Sequence, residues 1–68
     1  MNAVYKIIEV VGTSPQSWED AAKSAVERAG KTLSDLRVAE VVDMDMKLEN
    51  GQVAAYRTKV RLSFKFKD

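Results

Sequence analysis

Apolar and polar residues alternate one by one along two long segments in the second half of the chain, residues 37–49 and 53–67. Alternation with a period of two is typical of strands that bury one face and expose the other. Val4–Val11 is rich in β-branched and aromatic residues and predicts a further strand. The pair Asn50-Gly51 separates the two long segments, so we expect them to form a hairpin.

A helix is predicted between the first strand and the hairpin, from about Pro15 to about Ala29, because apolar residues recur there at helical spacing. Two starts fit the pattern. Ser14 would be the N-cap if Pro15 occupied the first helical position. Ser17 would be the N-cap if it formed a capping-box-like pair with Asp20 one turn later.

The element order predicts an α+β fold of the type β-α-β-β, with a three-stranded antiparallel sheet packed around one helix. All 68 residues, 1–68, are assigned to a single domain. A chain this short buries only about 60% of its unfolded surface, so its own core is marginal. Without Cys it cannot form disulfides, and we therefore expect oligomerisation to stabilise it.

The residue inventory excludes several classes of function. The absence of His and Cys excludes Ser-His-Asp and Cys-His nucleophile sites, zinc fingers and thiol redox centres, so an enzyme is not expected. Eleven Lys and Arg against ten Asp and Glu leave a net charge of +1, too small for a nucleic-acid footprint. No signal peptide or membrane span is recognisable, which predicts a cytoplasmic protein without nucleic-acid or membrane partners.

Parity predicts the register of the hairpin. A two-residue loop would place Met44 opposite Arg57 and turn one apolar face towards water. A three-residue loop, residues 49–51, restores the parity through a bulge beside the turn. Met44 would then face Tyr56, and Asp43 would face Arg57. The same parity places Glu40 on the apolar side, where it must be paired, lie at an edge or interface, or be displaced by a bulge.

Asp43 and Asp45 are the candidate metal ligands, because two carboxylates on one strand face offer oxygen atoms to Ca²⁺ or Mg²⁺. The alternative is a solvated face balanced by Arg57. The basic residues of the last strand likewise allow two interpretations, binding of a phosphate or nucleic acid, and pairing with nearby acids. Trp18 is interpreted as a packing residue at the core or at a subunit contact, with a stacking platform for a ligand as the alternative.

Four segments together resemble the dodecin family. They are residues 5–15 (YKIIEVVGTSP), 27–29 (ERA), 38–43 (VAEVVD) and 56–66 (YRTKVRLSFKF). The resemblance implies a hollow homododecamer of β-α-β-β protomers without enzymatic activity. Typical members bind flavins such as riboflavin, FMN and FAD in pairs near subunit interfaces, and some bacterial members also bind coenzyme A.

Three positions correspond to flavin-contacting positions of typical dodecins. Val38 stands where they have a Trp that stacks on the isoalloxazine ring, and Arg57 where they have a Gln that binds the ring edge. Asp43 matches an acidic position that in some members contacts the ribityl chain. The resemblance therefore makes Val38, Asp43 and Arg57 the cofactor-site residues, with two of the three contacts altered.

Segments 14–19 (SPQSWE), 37–39 (RVA) and 45–46 (DM) are more similar to the calcium dodecins, which lack the flavin Trp. This resemblance implies Ca²⁺ binding, with Asp43 and Asp45 as ligands. The expected function is a homododecamer that binds or stores a small ligand or ion, Ca²⁺ rather than flavin. A flavin-storing dodecin with an altered site is the first alternative, and a structural shell without ligand is the second.

Overall fold

The computed structural model describes residues 2–65, in which three strands and one helix follow one another in the predicted order. The strands are β1 (Tyr5–Ser14), β2 (Leu36–Glu49) and β3 (Gln52–Lys65), and the helix is α1 (Trp18–Gly30). They form one antiparallel sheet in the order β1-β3-β2. The predicted α+β fold is confirmed. The predicted strand residues 66 and 67 lie outside the described residues.

The helix starts at the second of the two predicted positions. Ser17 is the N-cap with an extended φ of −166°, and its hydroxyl accepts a hydrogen bond from the backbone N–H of Asp20 at 3.0 Å. Ser14 instead ends β1, where its Oγ donates to Asp20 Oδ2 at 2.7 Å and accepts from the N–H of Gln16 at 3.0 Å. Both serines therefore fix the entry to the helix, but only Ser17 caps it.

The hairpin differs from the prediction because its turn has two residues rather than three. Glu49 pairs with Gln52, and the turn residues Asn50 and Gly51 have φ values of 52° and 74°. Positive φ at both central residues is the geometry of a type I′ turn, which matches the twist of the flanking strands. The register shift comes after the turn, where Leu48 pairs with Val53 and Lys47 with Ala55.

This bulge restores the parity that the apolar faces require, but it moves the partners of residues 43–47 by two residues relative to the prediction. Met44 faces Thr58 rather than Tyr56, and Asp45 rather than Asp43 faces Arg57. The predicted pairings were wrong because a bulge can lie anywhere along a strand. For this part of the hairpin, the prediction that the apolar faces of β2 and β3 coincide is confirmed. Met44 and Thr58 both lie on the side of the sheet that faces α1.

The core of a single chain is small. Its buried apolar residues are Ala21 on α1 and Val60 and Leu62 on β3, the central strand. Many large apolar side chains remain exposed, namely Val4, Tyr5, Ile7, Val11, Val38, Val41, Val42, Met44, Met46, Leu48 and Val53. The edge strand β2 is exposed along almost its whole length. The helix in the described part of the chain is too short and too polar to cross a membrane.

Candidate functional site

The sheet face turned away from α1 carries charged side chains from all three strands. We call it the charged face; its members are Glu9 on β1, Glu40, Asp43 and Asp45 on β2, and Arg57, Lys59 and Arg61 on β3. On β3 these basic residues alternate with the buried residues Thr58 and Val60. The period of two thus separates a core face from a polar face on the central strand.

A second irregularity, in β2 between Val41 and Asp43, determines which acids reach the charged face. In a regular strand, Glu40 and Asp43 would point to opposite faces because they are three residues apart. The extra residue, Val42, lets both acids lie opposite basic residues of β3, Glu40 opposite Arg61 and Asp43 opposite Lys59. Of the outcomes predicted for Glu40, displacement by a bulge and pairing with a base therefore both occur.

Arg61 links the three strands by contacting an acid on each side. Its Nε and Nη2 donate to Glu9 Oε2 at 3.1 and 2.8 Å, and its Nη1 lies 3.6 Å from Glu40 Oε1. The hydrogen bonds from Arg61 lower the pKa of Glu9 below its ordinary value, and the same contacts raise the pKa of Arg61. Arg61 therefore pairs with nearby acids, which is one of the two interpretations predicted for the basic residues of the last strand.

Arg57 holds Asp45 in a bidentate ion pair. Nε donates to Oδ1 at 2.6 Å and Nη2 donates to Oδ2 at 2.8 Å, so both carboxylate oxygens are engaged. These hydrogen bonds lower the pKa of Asp45, with the guanidinium charge acting in the same direction. Parallel two-point contacts of this kind are the strongest Arg–carboxylate geometry.

Asp43 lies near this pair on β2, but its side chain contacts the backbone instead of a basic side chain. Its Oδ1 accepts a hydrogen bond from the backbone N–H of Met44 at 2.9 Å, and no ion pair joins it to another described residue. Asp43, Asp45, Arg57, Lys59 and Val11 line one pocket of about 90 Å³. Sites for drug-sized organic ligands are usually about 300 Å³ or larger, so this pocket is too small for such a ligand.

The described part of one chain does not by itself fit a Ca²⁺ ion. Ca²⁺ takes six to eight oxygen ligands at about 2.3–2.6 Å. Residues 2–65 contain no group of three or more acids placed to hold a metal. Asp43 and Asp45 share a pocket as predicted, but Arg57 and Lys59 share it with them. The two aspartates are thus brought together in an environment without net charge.

Val38 is remote from the other two residues assigned to the cofactor site. It lies opposite Ser63, whose Oγ donates to the Val38 carbonyl oxygen at 3.5 Å, and its side chain is 61% exposed. Arg57 is six residues away from Ser63 on β3, a separation of about 20 Å along a strand. One chain therefore brings together Asp43, Asp45 and Arg57, whereas Val38 belongs to a different part of the sheet.

Trp18 contacts the strand segment that carries the two aspartates. Its indole N–H donates to the Asp45 carbonyl oxygen at 2.9 Å, and its ring meets that of Tyr56 edge-on at 5.0 Å. Its own carbonyl oxygen accepts from Thr58 Oγ1 at 2.9 Å. Trp18 packs within the chain, as predicted, but its contact with Asp45 was missed. A Trp N–H needs an acceptor when it packs, and the sequence does not indicate which one.

A family model described as Dodecin matches residues 4–67 of the chain. The chain belongs to the dodecin family. The resemblance carried by the four sequence segments is thereby confirmed, and the β-α-β-β architecture of this dodecin agrees with the solved structures that it matches.

This dodecin is similar to proteins of several bacteria. It is 46% identical over 65 residues to calcium dodecin of Mycobacterium tuberculosis, covering 96% of this chain and 92% of the relative. A solved structure of calcium dodecin from the same organism matches with a TM-score of 0.84 at 47% identity, over 94% of this chain and 91% of that one. It is described as a calcium chelating immunodominant antigen with a novel calcium-binding site. Dodecin from Streptomyces coelicolor matches with a TM-score of 0.92 at 39% identity over 98% and 96%.

The ion pairs of the charged face predict that acid destabilises this dodecin. Arg61 lowers the pKa of Glu9 from 4.5, and Arg57 lowers that of Asp45 from 3.8. The unfolded chain therefore takes up these protons first as the pH falls. The stabilisation is complete above the ordinary pKa values and is lost as the pH drops through the lower, folded-state values.

Urea unfolding between about pH 6 and about pH 3 tests this expectation. Glu9→Gln should reduce the fall in unfolding free energy over that range, because the substituted side chain no longer titrates. Glu27→Gln is the matched control, since Glu27 is exposed on α1. Equal acid sensitivity of the wild type and Glu9→Gln would contradict a native Glu9–Arg61 pair.

Proposed function

We propose that this dodecin is a non-catalytic homododecamer that binds a divalent cation, with Ca²⁺ as the first ion to test. The observation that carries the proposal is the pair of adjacent carboxylates, Asp43 and Asp45, in one small pocket. The chain has neither His nor Cys, so its side chains favour hard cations that take oxygen ligands. Similarity to a relative named calcium dodecin supports the same ion.

Homo-oligomerisation is supported by what a single chain leaves uncovered. Among residues 2–65, three apolar residues are buried, Ala21, Val60 and Leu62, whereas most apolar side chains of β2 are exposed. A long exposed edge strand with an apolar face is prone to pair with other chains unless it is covered. Copies of the same chain would cover these surfaces and would add the buried area that a 68-residue chain lacks.

Assembly would also complete the ion site. One chain offers Asp43 and Asp45, too few oxygen atoms for a Ca²⁺ ion. The side chains of both aspartates lie on the exposed strand β2, where a symmetry-related copy can approach. The remaining oxygen ligands would come from a neighbouring copy and from water.

Flavin is the less favoured ligand. Val38 offers an aliphatic side chain where the resemblance implies an aromatic platform, and stacking on an aromatic side chain contributes about 1–3 kcal/mol per base in nucleic-acid complexes. Arg57 stands at the position of the ring-binding Gln, and both oxygens of Asp45 already engage its guanidinium. Neither residue is therefore available for the contact that its position implies.

Calorimetric titration of the assembled protein tests the proposal, with Ca²⁺, Mg²⁺, riboflavin, FMN and coenzyme A as separate ligands. Ca²⁺ should give a saturable isotherm, and light scattering should give the mass of a dodecamer. Asp43→Asn should weaken Ca²⁺ binding by about tenfold or more, since one charged ligand is lost.

Glu49→Gln is the matched control for that substitution. It removes a carboxylate from the same strand, but Glu49 lies beside the turn and contacts Lys47 at 3.9 Å. Its Ca²⁺ affinity should equal that of the wild type. Quenching of riboflavin fluorescence without any Ca²⁺ signal would replace the proposal with flavin storage. If none of the ligands gives a binding signal, the remaining interpretation is a shell with a purely structural role.

A further inference from the structure

The hairpin of β2 and β3 extends beyond the other two elements. β1 ends at Ser14, which is opposite Tyr56 of β3, and the ring of Trp18 at the start of α1 meets the Tyr56 ring. Residues 47–55, the hairpin tip, therefore project about 13 Å past Tyr56 and pair only with one another among the described residues. A two-stranded hairpin is marginally stable in water by itself, so the tip needs a surface to pack against.

The tip carries two apolar side chains on the side of the sheet that faces α1. Leu48 is two residues from Met46, which is opposite Tyr56 on that side, and Leu48 pairs with Val53. Leu48 and Val53 remain 60% and 46% exposed. The tip is thus a projection with one apolar side.

A groove of about 500 Å³ lies between α1 and β2 on the same side of the sheet. Its lining is mostly apolar and consists of Trp18, Glu19, Ala22, Val41, Met44 and Thr58. Close-packed proteins leave few voids of this size, so the groove has room for several side chains. The tip of the same chain cannot fill it, because Leu48 is four residues further along β2 than Met44, about 13 Å.

The chain exposes more surface than a compact protein of its mass. Its accessible surface is 5299 Å², whereas a compact monomer of 7.6 kDa exposes about 4,300 Å². The excess of roughly 1,000 Å² is comparable to the ~800 Å² that each partner buries in a stable protein–protein contact. The elongated shape, 53 × 20 × 14 Å, accounts for such an excess.

We propose that the hairpin tip of one copy packs into the groove of a second copy, with Leu48 and Val53 against the Trp18 ring. This inference rests on the homo-oligomer of the proposed function and names one of the surfaces that form it. Tip-to-tip packing would leave the groove open. Groove-to-groove packing would bring two Glu19 carboxylates together over a void. Packing of the tip in the groove covers both surfaces.

This contact is heterologous, because each copy gives its tip to one neighbour and receives the tip of another. Heterologous contacts repeat around a ring when the rotation between copies closes. The contact therefore joins three or more copies rather than two. It buries the exposed apolar side of β2 without using the charged face on the other side of the sheet.

Charges at the rim of the groove match those of the tip. Glu19 is the one charged side chain among the residues that line the groove. On the tip, Lys47 is next to Leu48, and its Nζ lies 3.9 Å from Glu49 Oε2 with both side chains exposed. Such a pair contributes little and can be exchanged. Lys47 of one copy would then face Glu19 of the second, which favours this orientation over contacts between like surfaces.

Disulfide trapping on the full chain tests the contact, and the chain offers a clean background because it contains no Cys. Leu48→Cys and Ala22→Cys are co-expressed as separate chains and treated with oxidised glutathione. Together they should give a covalent dimer on a non-reducing gel, whereas neither variant alone should. A chain that carries both substitutions should give covalent species of three or more copies.

A link within one chain is excluded by distance. Val53, the partner of Leu48, is five residues from Thr58 in the groove, about 16 Å along β3. Cα atoms joined by a disulfide are usually less than about 7 Å apart. Any link between positions 22 and 48 therefore reports two copies.

Leu48→Lys tests the same contact without a covalent bond. A charge on the apolar side of the tip should weaken self-association by about tenfold or more, as the loss of a central anchor does. Gln52→Lys is the matched control, since it adds the same charge to the same tip on the side that faces away from α1. Its mass should equal that of the wild type. Light scattering over a dilution series measures both, and circular dichroism verifies that both are folded.

Trp18 reports the state of the groove because it is the one Trp of the chain. Quenching of its fluorescence by acrylamide should rise in Leu48→Lys and should stay at the wild-type level in Gln52→Lys. Equal quenching in the assembled wild type and in Leu48→Lys would overturn the contact. It would leave the groove open to a small apolar molecule.

The outcomes separate this inference from the proposed function. If the wild type is a dodecamer, but the two Cys variants do not link and Leu48→Lys assembles equally well, the function stands and the contact is overturned. If they link and the wild type has another oligomeric mass, the contact is supported and the dodecamer fails. A link formed by Leu48→Cys alone would overturn the contact in favour of tip-to-tip packing. A monomeric wild type would overturn both.

Discussion

Gly12→Ala is expected to destabilise this dodecin strongly, and far more than the same substitution at Gly30. Gly12 is buried in β1 where α1 crosses the sheet, and a Cβ atom there would overlap the backbone carbonyl of Ala21. The added atom would also lie 2.9 Å from the Cβ of Ala25. A backbone carbonyl inside a helix cannot move aside, so the helix as a whole would have to shift.

The expected loss of unfolding free energy is about 3 kcal/mol or more, at the upper end of the range for overpacked sites. A domain of this length has a total stability of roughly 3–10 kcal/mol, so the loss would remove about a third of it or more. Urea unfolding, followed by circular dichroism at one fixed protein concentration, measures the loss.

Gly30→Ala is the control, because it adds the same methyl group to the last residue of α1. The nearest atom to a Cβ at Gly30 is Leu36 Cδ1 at 3.7 Å, an ordinary contact. Alanine is also the better helix former, so this variant should gain about 0.5–1 kcal/mol. Equal unfolding midpoints for the two variants would mean that α1 does not pack on Gly12 in solution.

Leu62→Ala is the second change with a large expected effect. Leu62 is 1% exposed on the central strand, between Ile8 of β1 and Ala39 of β2. Truncation of a buried Leu leaves a cavity that the surroundings only partly fill, at a cost of about 2–5 kcal/mol. A chain with so few buried apolar residues has little other packing to compensate.

Leu62→Met separates cavity formation from mere substitution at this position. Methionine keeps nearly the same volume, so this variant should lose less than about 1.5 kcal/mol. Both variants are measured by urea unfolding at the same protein concentration as the wild type. A loss for Leu62→Ala no larger than that for Leu62→Met would show that Leu62 is not packed in the core.

The order of the strands and the helix was predictable from the sequence. The strands were recognised by a period of two and the helix by a period near 3.6, and both signals depend only on neighbouring residues. The buried residues Val60 and Leu62 lie on the face that the alternation assigned to the core. The close approach of Gly12 to Ala21 was not predicted, because it joins residues from two elements.

The start of α1 was only partly predictable. Ser14 and Ser17 both carry the side chain that an N-cap needs, and both are followed by residues that suit a first turn. Ser17 caps the helix, while Ser14 binds the Asp20 side chain from the end of β1. The choice depends on how far β1 pairs with β3, since the pairing extends to Ser14 opposite Tyr56.

The sequence by itself determined the α+β class, the order of the elements, the apolar face of β3 and the exclusion of His and Cys chemistry. These properties follow from composition and from periodicity along the chain, which are local. Only the tertiary structure decided that Arg57 pairs with Asp45 rather than Asp43, and that Glu40 reaches Arg61. A single extra residue at a bulge exchanges the two faces of a strand. Its position is set by how the strands pair and pack, which no local pattern records.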